Sequence, residues 1–261
     1  MRYILGIDIG TTAIKGAVIG EDGKIYGTKT SEYPLTTLPT GEVEADLQLY
    51  INAFTQSIKG AVEDAKVDVA DIKCVGFSST AETCVFLDKY NEPLCKVIAW
   101  MDTRATKEAE YLTAHFDKKD IINKVGFDGI YAIHPVSKIL AVKNKNPEIF
   151  EKTRMFAQIK DYFIYRLTGE YYTDHSTASD HGFFDITNRC YWNEMLEFTG
   201  IKEEYLPKLV EPGTELGTIS REAALEFGLD PETKINVGAF DQGCGAIGAG
   251  NTKPGIASES T

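Results

Sequence analysis

The chain has 261 residues, 43% of them hydrophobic and 25% charged, enough to bury a sizeable core as one large domain or a main domain with an insertion. Its net charge of −12 argues against non-specific binding to nucleic acid or an anionic membrane, and no apolar run approaches the roughly 18–20 residues of a membrane span. The first residues enter a strand with no secretory leader pattern, and the five cysteines are odd in number without metal-ligand spacing, so reduced thiols in a cytoplasmic setting are expected.

In chain order, "YILGIDI", "AIKGAVIG" and "KIYGTKTSEY" read as three strands, joined by Gly10-Thr11-Thr12 and by a hairpin turn at Glu21-Asp22-Gly23. Residues 45–65 place Leu47, Tyr50, Ile51, Phe54, Ile58 and Val62 on one helical face. "IKCVGFSST" and "TCVFLD" read as strands, and "KVIAWMDTRA" carries an apolar run into a polar corner before a helix over "ATKEAEYLTAHF". Residues 138–168 read as helical in pieces, broken at Pro147 and ended by Gly169, with the aromatics of "YFIYRL" in the core. "REAALEFG" is a short helix stopped by Gly228, and "KINVGAF" a final buried strand leading into "DQGCGAIGAG". Three strands followed by alternating helix and strand predict a mixed α/β sheet.

Three groups of residues carry candidate chemistry. Asp8 lies in an apolar strand, where burial without a partner is costly. Gly10, Thr11 and Thr12 offer backbone N–H groups and hydroxyls to an anion, with Lys15 nearby as a cation. A carboxylate beside a phosphate needs a cation between them, and Mg²⁺ is held through one or two carboxylates and several waters. A plain hairpin turn with a surface lysine is the alternative. Asp241, past the end of the last strand, is placed to accept a hydroxyl proton or to cap a helix. The glycines that follow make a poor helix and read as close packing against backbone or ligand. Asp8 and Asp241 can meet at the carboxyl ends of sheet strands, where ligands of α/β folds sit. Glu82, Trp100, Asp102 and Arg104 sit on loops and suit a polyhydroxylated ligand. Their simpler local reading is a surface salt bridge beside a core tryptophan. His134 and His175 read as structural.

Together these pieces resemble the N-terminal domain of the FGGY family of carbohydrate kinases, which includes gluconokinases, xylulokinases, ribulokinases and glycerol kinases. "GIDIGTTAIK" is similar to the family's opening phosphate motif, "AWMDTR" to its tryptophan–aspartate–arginine segment, "IKDYFIYRLTGEYYTDHSTAS" to its mid-domain stretch and "GAFDQGCGAIGAG" to its catalytic aspartate motif. The four occur in order over essentially the whole chain. The resemblance implies an actin-like ATPase (ribonuclease H-like) domain over residues 1–252, with 253–261 starting a hinge to a second domain that carries the adenosine pocket. It implies ATP and Mg²⁺ as cofactors, Asp241 as general base, and Asp8 with Asp241 at the metal. Gly10, Thr11, Thr12 and Lys15 would face the phosphates, and Ala81, Glu82, Trp100, Asp102, Arg104 and Gln242 the carbohydrate or polyol.

Two departures bear on the substrate. Ala141 stands where the family often has tryptophan. Ala81-Glu82 stands where glycerol kinases carry Arg-Glu and xylulokinases and gluconokinases typically carry Met-His. Glu82 leans towards a polyol contact and "IHPVSK" towards gluconokinase, so the substrate stays open among sugar, sugar acid and polyol. A catalytically inactive carbohydrate-binding or regulatory module of the same fold is the alternative. The expected partners are the small-molecule substrate and the C-terminal domain, or a second copy in a homodimer through an uncovered cleft face.

Overall fold

The opening apolar runs pair as the sequence predicts. In the computed structural model, which describes residues 1–259, strands Tyr3–Ile9 and Ala13–Gly20 are antiparallel with Asp8 opposite Lys15, and Ile25–Glu32 adds antiparallel to the second. Tyr3–Ile9 also pairs parallel to Ile72–Ser79, which pairs parallel to Lys234–Phe240; Glu215–Thr218 closes the far edge antiparallel. Three parallel strands at the centre of a six-stranded mixed sheet therefore deliver their carboxyl ends to one edge. Asp8 and Asp241 lie at that edge on either side of the Ile72–Ser79 strand, about 10 Å apart by strand spacing.

Helix Leu47–Ala65 packs its predicted face on the hairpin, with Leu47, Tyr50, Phe54 and Ile58 buried and Ile51 and Val62 against the same core. Glycine permits this approach: a Cβ on Gly27 would lie 2.3 Å from the Ala65 nitrogen. Phe54 stacks on Phe163 of helix Ile159–Thr168 at 3.9 Å between ring centroids, so the core runs beneath the sheet.

A second apolar cluster forms separately. It gathers Leu112, Ile121, Ile139, Phe156, Trp192 and Met195 from helices and strands that leave the main sheet after Ser79. Five short strands, in the order Thr36–Thr37, Val43–Ala45, Val97–Ile98, Cys84–Leu87 and Met155–Gln158, join this unit to the first. The chain thus builds two apolar clusters, and segments after Ser79 such as helix Ile159–Thr168 contribute to the first as well.

Two elements differ from the sequence reading. Residues 138–168 contain helices Pro135–Lys145, Pro147–Lys152 and Ile159–Thr168, but strand Met155–Gln158 interrupts them. Its β state comes from antiparallel pairing with Cys84–Leu87, a long-range partner that local periodicity does not reveal. Asp241–Gly248 is a helix despite its glycines. A Cβ on Gly243, Gly245 or Gly248 would meet nothing within 4 Å, so close packing against backbone is not found among the described residues. Residues 253–259 form no helix or strand, and the last two residues of the expected hinge, 260 and 261, lie outside the described residues. Among the described residues no helix is long and apolar enough to cross a membrane.

Candidate active site

The parallel strand ends converge on one cavity of about 400 Å³, within the range of small-molecule sites. From the opening turn comes Thr11; from the loop after Ile72–Ser79 come Thr80, Ala81 and Glu82; from the last strand and its helix come Phe240, Asp241 and Gln242. Trp100, Asp180 and the apolar Phe127 and Ile133 complete the wall. The Trp100 indole Nε1–H donates to the Thr11 hydroxyl at 2.9 Å, which joins the expected phosphate turn to the expected sugar pocket.

At the opening turn, Asp8 is less buried than its apolar strand suggested, with 37% of its side chain exposed. Its Oδ2 accepts from Lys15 Nζ at 3.3 Å and its Oδ1 from the Ser78 hydroxyl at 3.0 Å. The burial penalty argued for Asp8 is therefore small, and Lys15 points at it because the two residues are opposed across the hairpin. The Gly10 N–H closes the turn on the Ala13 carbonyl at 3.1 Å, the Tyr33 hydroxyl donates to the Gly10 carbonyl, and the Tyr33 N–H donates to the Thr12 carbonyl at 3.0 Å. A Cβ on Gly10 would crowd the Ala13 carbonyl at 3.1 Å and reach within 4.0 Å of Asp8 Oδ2. Glycine keeps this concavity bare.

On the opposite wall, Glu82 holds a left-handed backbone, φ +59°, a conformation non-glycine residues keep only when their surroundings impose it. Two bonds impose it: the Glu82 N–H donates to Gln158 Oε1 at 2.7 Å, and its carbonyl accepts from Lys138 Nζ at 2.7 Å. The same ammonium donates to the carbonyls of Ala99 and Trp100 at 2.9 and 3.0 Å. A fully buried lysine thus ties together the loops that carry Glu82 and Trp100.

The cavity is electrostatically acidic. Burial pushes the Glu82 carboxyl up to about 8, with the charges of Asp180 and Asp241 adding and Lys138 opposing. Asp180 is raised to about 6 by burial and then by Asp241, and Asp241 is raised by burial and then by the charge of Asp8. Asp241 is the first helical residue, after Phe240 at the N-cap, so the capping role is not the one it takes. It sits in the first turn, where a carboxylate is favoured by the helix dipole.

The structure does not bring two of the expected sugar ligands to this cavity. Asp102 is fully buried and accepts from the Val43 N–H at 2.6 Å and from Arg104 Nε and Nη2 at 2.8–3.0 Å; Arg104 also reaches Glu44 at 3.1 Å. The pair fastens the corner to strand Val43–Ala45, as a salt bridge beside the tryptophan, though inside the protein rather than on its surface. Conversely, Lys138, Gln158, Phe127, Ile133 and Asp180 were not singled out from the sequence. Asp180 follows directly on the stretch "HSTAS" that carried the family resemblance, and its place before Gly182, φ +77°, marks a fixed turn. His134 is buried at the N-cap of helix Pro135–Lys145 and accepts from the Tyr131 N–H, a structural role as expected. Among the described residues no group of three or more His, Cys, Asp or Glu side chains is arranged to hold a metal ion.

Comparison with known proteins agrees with this architecture. A model of the FGGY family of carbohydrate kinases, N-terminal domain, matches residues 3–248. The chain is 31% identical over 252 residues to a xylulose kinase of Bacillus subtilis (strain 168), covering 96% of this chain and 50% of that protein. It is also 31% identical over 258 residues to a gluconokinase of the same organism, covering 97% and 49%. The crystal structure of a ligand-bound xylulose kinase from Lactobacillus acidophilus superposes with a TM-score of 0.89 at 31% identity, over 96% of this chain and 50% of that one. The chain thus spans about half the length of the relatives it matches, and the actin-like α/β fold with a mixed sheet flanked by helices is the one found. The chain belongs to the FGGY family of carbohydrate kinases and corresponds to its N-terminal domain.

Proposed function

We propose that this chain is the substrate-binding, base-carrying half of an ATP-dependent kinase that phosphorylates a hydroxyl of a sugar, sugar acid or polyol. One observation carries the reading: Asp241 lines the same cavity as Glu82, Trp100 and Gln242, while Thr11 extends that cavity to the Gly10–Thr12 turn. A hydroxyl bound there lies between a carboxylate and a phosphate-facing loop.

Asp241 accepts the proton of the substrate hydroxyl as that oxygen bonds to the γ-phosphorus of ATP. The bond from γ-phosphorus to the β,γ-bridging oxygen breaks, and ADP departs with the electron pair. Gly10, Thr11 and Thr12 approach the phosphates through backbone and hydroxyls, and Lys15 adds a positive charge beside them. Asp8 and Asp241, at one sheet edge, would hold Mg²⁺ directly or through its waters, and the ion would supply neutralisation of the phosphate charge. Glu82, Ala81, Trp100 and Gln242 receive the carbohydrate, and Lys138 and Gln158 hold Glu82 in place. Asp102 and Arg104 act through the loop they fasten rather than by touching substrate.

The exposed helix Asp241–Gly248, with bare glycines and Ile247 65% exposed, is the surface on which the second domain closes. Residues 1–252 then act as the sugar-binding domain, with the hinge starting at about residue 253. The chain alone therefore folds but has negligible turnover, because adenosine contacts and water exclusion need the second domain.

The test is ADP release by the complete two-domain protein with ATP, Mg²⁺ and xylulose, gluconate or glycerol in turn. Turnover with one of them in the ordinary range, about 1–10³ s⁻¹, is expected. Binding without turnover for every candidate would make the chain a carbohydrate-binding module instead.

A further inference from the structure

Asp180 lies in the short segment between helix His175–Ala178 and Gly182, and this segment is held in place from three sides. The His181 N–H donates to the Ala178 carbonyl at 2.9 Å, and the His181 carbonyl accepts from the Val136 N–H at 3.0 Å. The Phe240 N–H donates to the Ser176 hydroxyl at 3.0 Å, tying the helix that leads into the segment to the strand end before Asp241. Gly182 leaves no room for adjustment, since a Cβ there would lie 2.6 Å from Val136 Cγ1. Asp180 is thus presented to the cavity on a fixed support.

Asp180 is 9% exposed and Glu82 8% exposed, and the oxygens of both open to the cavity rather than being sealed off in the core. Neither carboxylate has a hydrogen-bond or ion-pair partner among the described residues; the influences on Asp180 are burial and the charge of Asp241. Buried acceptors without donors are costly, and a ligand that supplies donors relieves them. No lining residue of the cavity is cationic. The nearby cations are engaged elsewhere: Lys138 on three backbone carbonyls, Arg104 on Asp102 and Glu44, Lys15 on Asp8. Phe127, Ile133 and Trp100 offer apolar surface for the C–H faces of a carbon chain.

We infer that Asp180 is a substrate-contacting, specificity-setting residue, and that with Glu82 it makes the cavity select a neutral polyhydroxylated compound, a polyol or ketose, over a sugar acid. Hydroxyls of a neutral ligand donate to Asp180 and exchange hydrogen bonds with the Glu82 carboxyl, while the hydroxyl to be phosphorylated faces Asp241. A sugar acid brings a carboxylate, which has no proton to donate and meets like charge in a desolvated site. The proton that burial keeps on Glu82 does not reverse this, because Asp180 and Asp241 still give the cavity its acidic lining and no lining residue is cationic. The location of the site rests on the kinase reading above; the charge preference does not need turnover.

The test is calorimetric titration of the complete protein at constant pH with xylulose, glycerol and gluconate, for wild type, Asp180→Asn and Asp180→Ala, beside phosphorylation assays on the same samples. The best neutral probe is expected to bind about 100-fold or more tightly than gluconate. Asp180→Ala should weaken that neutral probe about 10- to 100-fold with ATP affinity unchanged, and Asp180→Asn, nearly isosteric, should narrow the gap to gluconate. Gluconate binding within about tenfold of the best neutral probe overturns the inference, as does neutral affinity unmoved by both variants or no binding of any neutral probe. Preferential phosphorylation of gluconate would sink this inference and leave the kinase reading intact. Neutral preference in binding without phosphoryl transfer to any probe would do the reverse.

Discussion

Asp102 and Glu82 are almost equally removed from water, at 0% and 8% exposure, and both sit on loops that the sequence marked as a sugar pocket. Asp102 is saturated: a backbone N–H and the Arg104 guanidinium occupy both of its oxygens. Glu82 has its backbone clamped on both sides and its carboxylate left to the cavity. Burial alone does not separate a structural acid from a ligand-binding one. What separates them is whether the protein completes the hydrogen bonding itself.

The two kinds of acid should respond oppositely to mutation. Arg104→Met leaves Asp102 buried and uncompensated, so a loss of about 3–5 kcal/mol in denaturant unfolding is expected, with substrate preference unchanged. A near-neutral result would place Asp102 with the ligand-binding acids. Lys138→Met strands three carbonyls and should cost about 3 kcal/mol or more. Because it frees the loops bearing Glu82 and Trp100, KM for the carbohydrate should rise while KM for ATP stays, a split that a purely structural lysine would not produce.

Glu82→Gln should behave the other way, with no loss of stability and a large loss of carbohydrate binding, because the carboxyl has no partner among the described residues and faces the cavity. Its pH dependence sharpens the contrast. The folded protein holds the Glu82 proton up to about 8 against an ordinary 4.5, so it binds more protons than the unfolded chain between those values. Stability therefore falls as pH rises from about 4.5 through 8, with Asp180 and Asp241 facing Glu82 and steepening the fall and Lys138 opposing it. Melting curves of wild type and Glu82→Gln across this window should diverge, the variant being favoured at the alkaline end. Parallel curves would mean that Glu82 is not held protonated.

The sequence showed most readily what depends on neighbours. The opening hairpin and helix Leu47–Ala65 follow from alternation and helical spacing within single segments. That Asp8 and Asp241 come to the same edge of one sheet was legible because each lies at the carboxyl end of an apolar run. Strand Met155–Gln158, the Lys138 clamp and the orientation of Asp180 were not, since each is decided by a partner dozens of residues away. Trp100 and Asp102 are two positions apart, yet one lines the cavity and the other the interior. Only the path of strand Val43–Ala45, which supplies the N–H for Asp102, decides which.

The central claim is that Asp241 acts on a substrate hydroxyl rather than on its own helix. Steady-state kinetics and thermal melting of the complete protein, wild type against Asp241→Asn, test it most directly. The change keeps side-chain size but removes the base, so kcat should fall roughly 10²–10⁴-fold. The melting temperature should hold or rise, because burial and the charge of Asp8 disfavour the ionised Asp241. A near-normal kcat with a lowered melting temperature would contradict the account and leave Asp241 with a structural role in its helix alone.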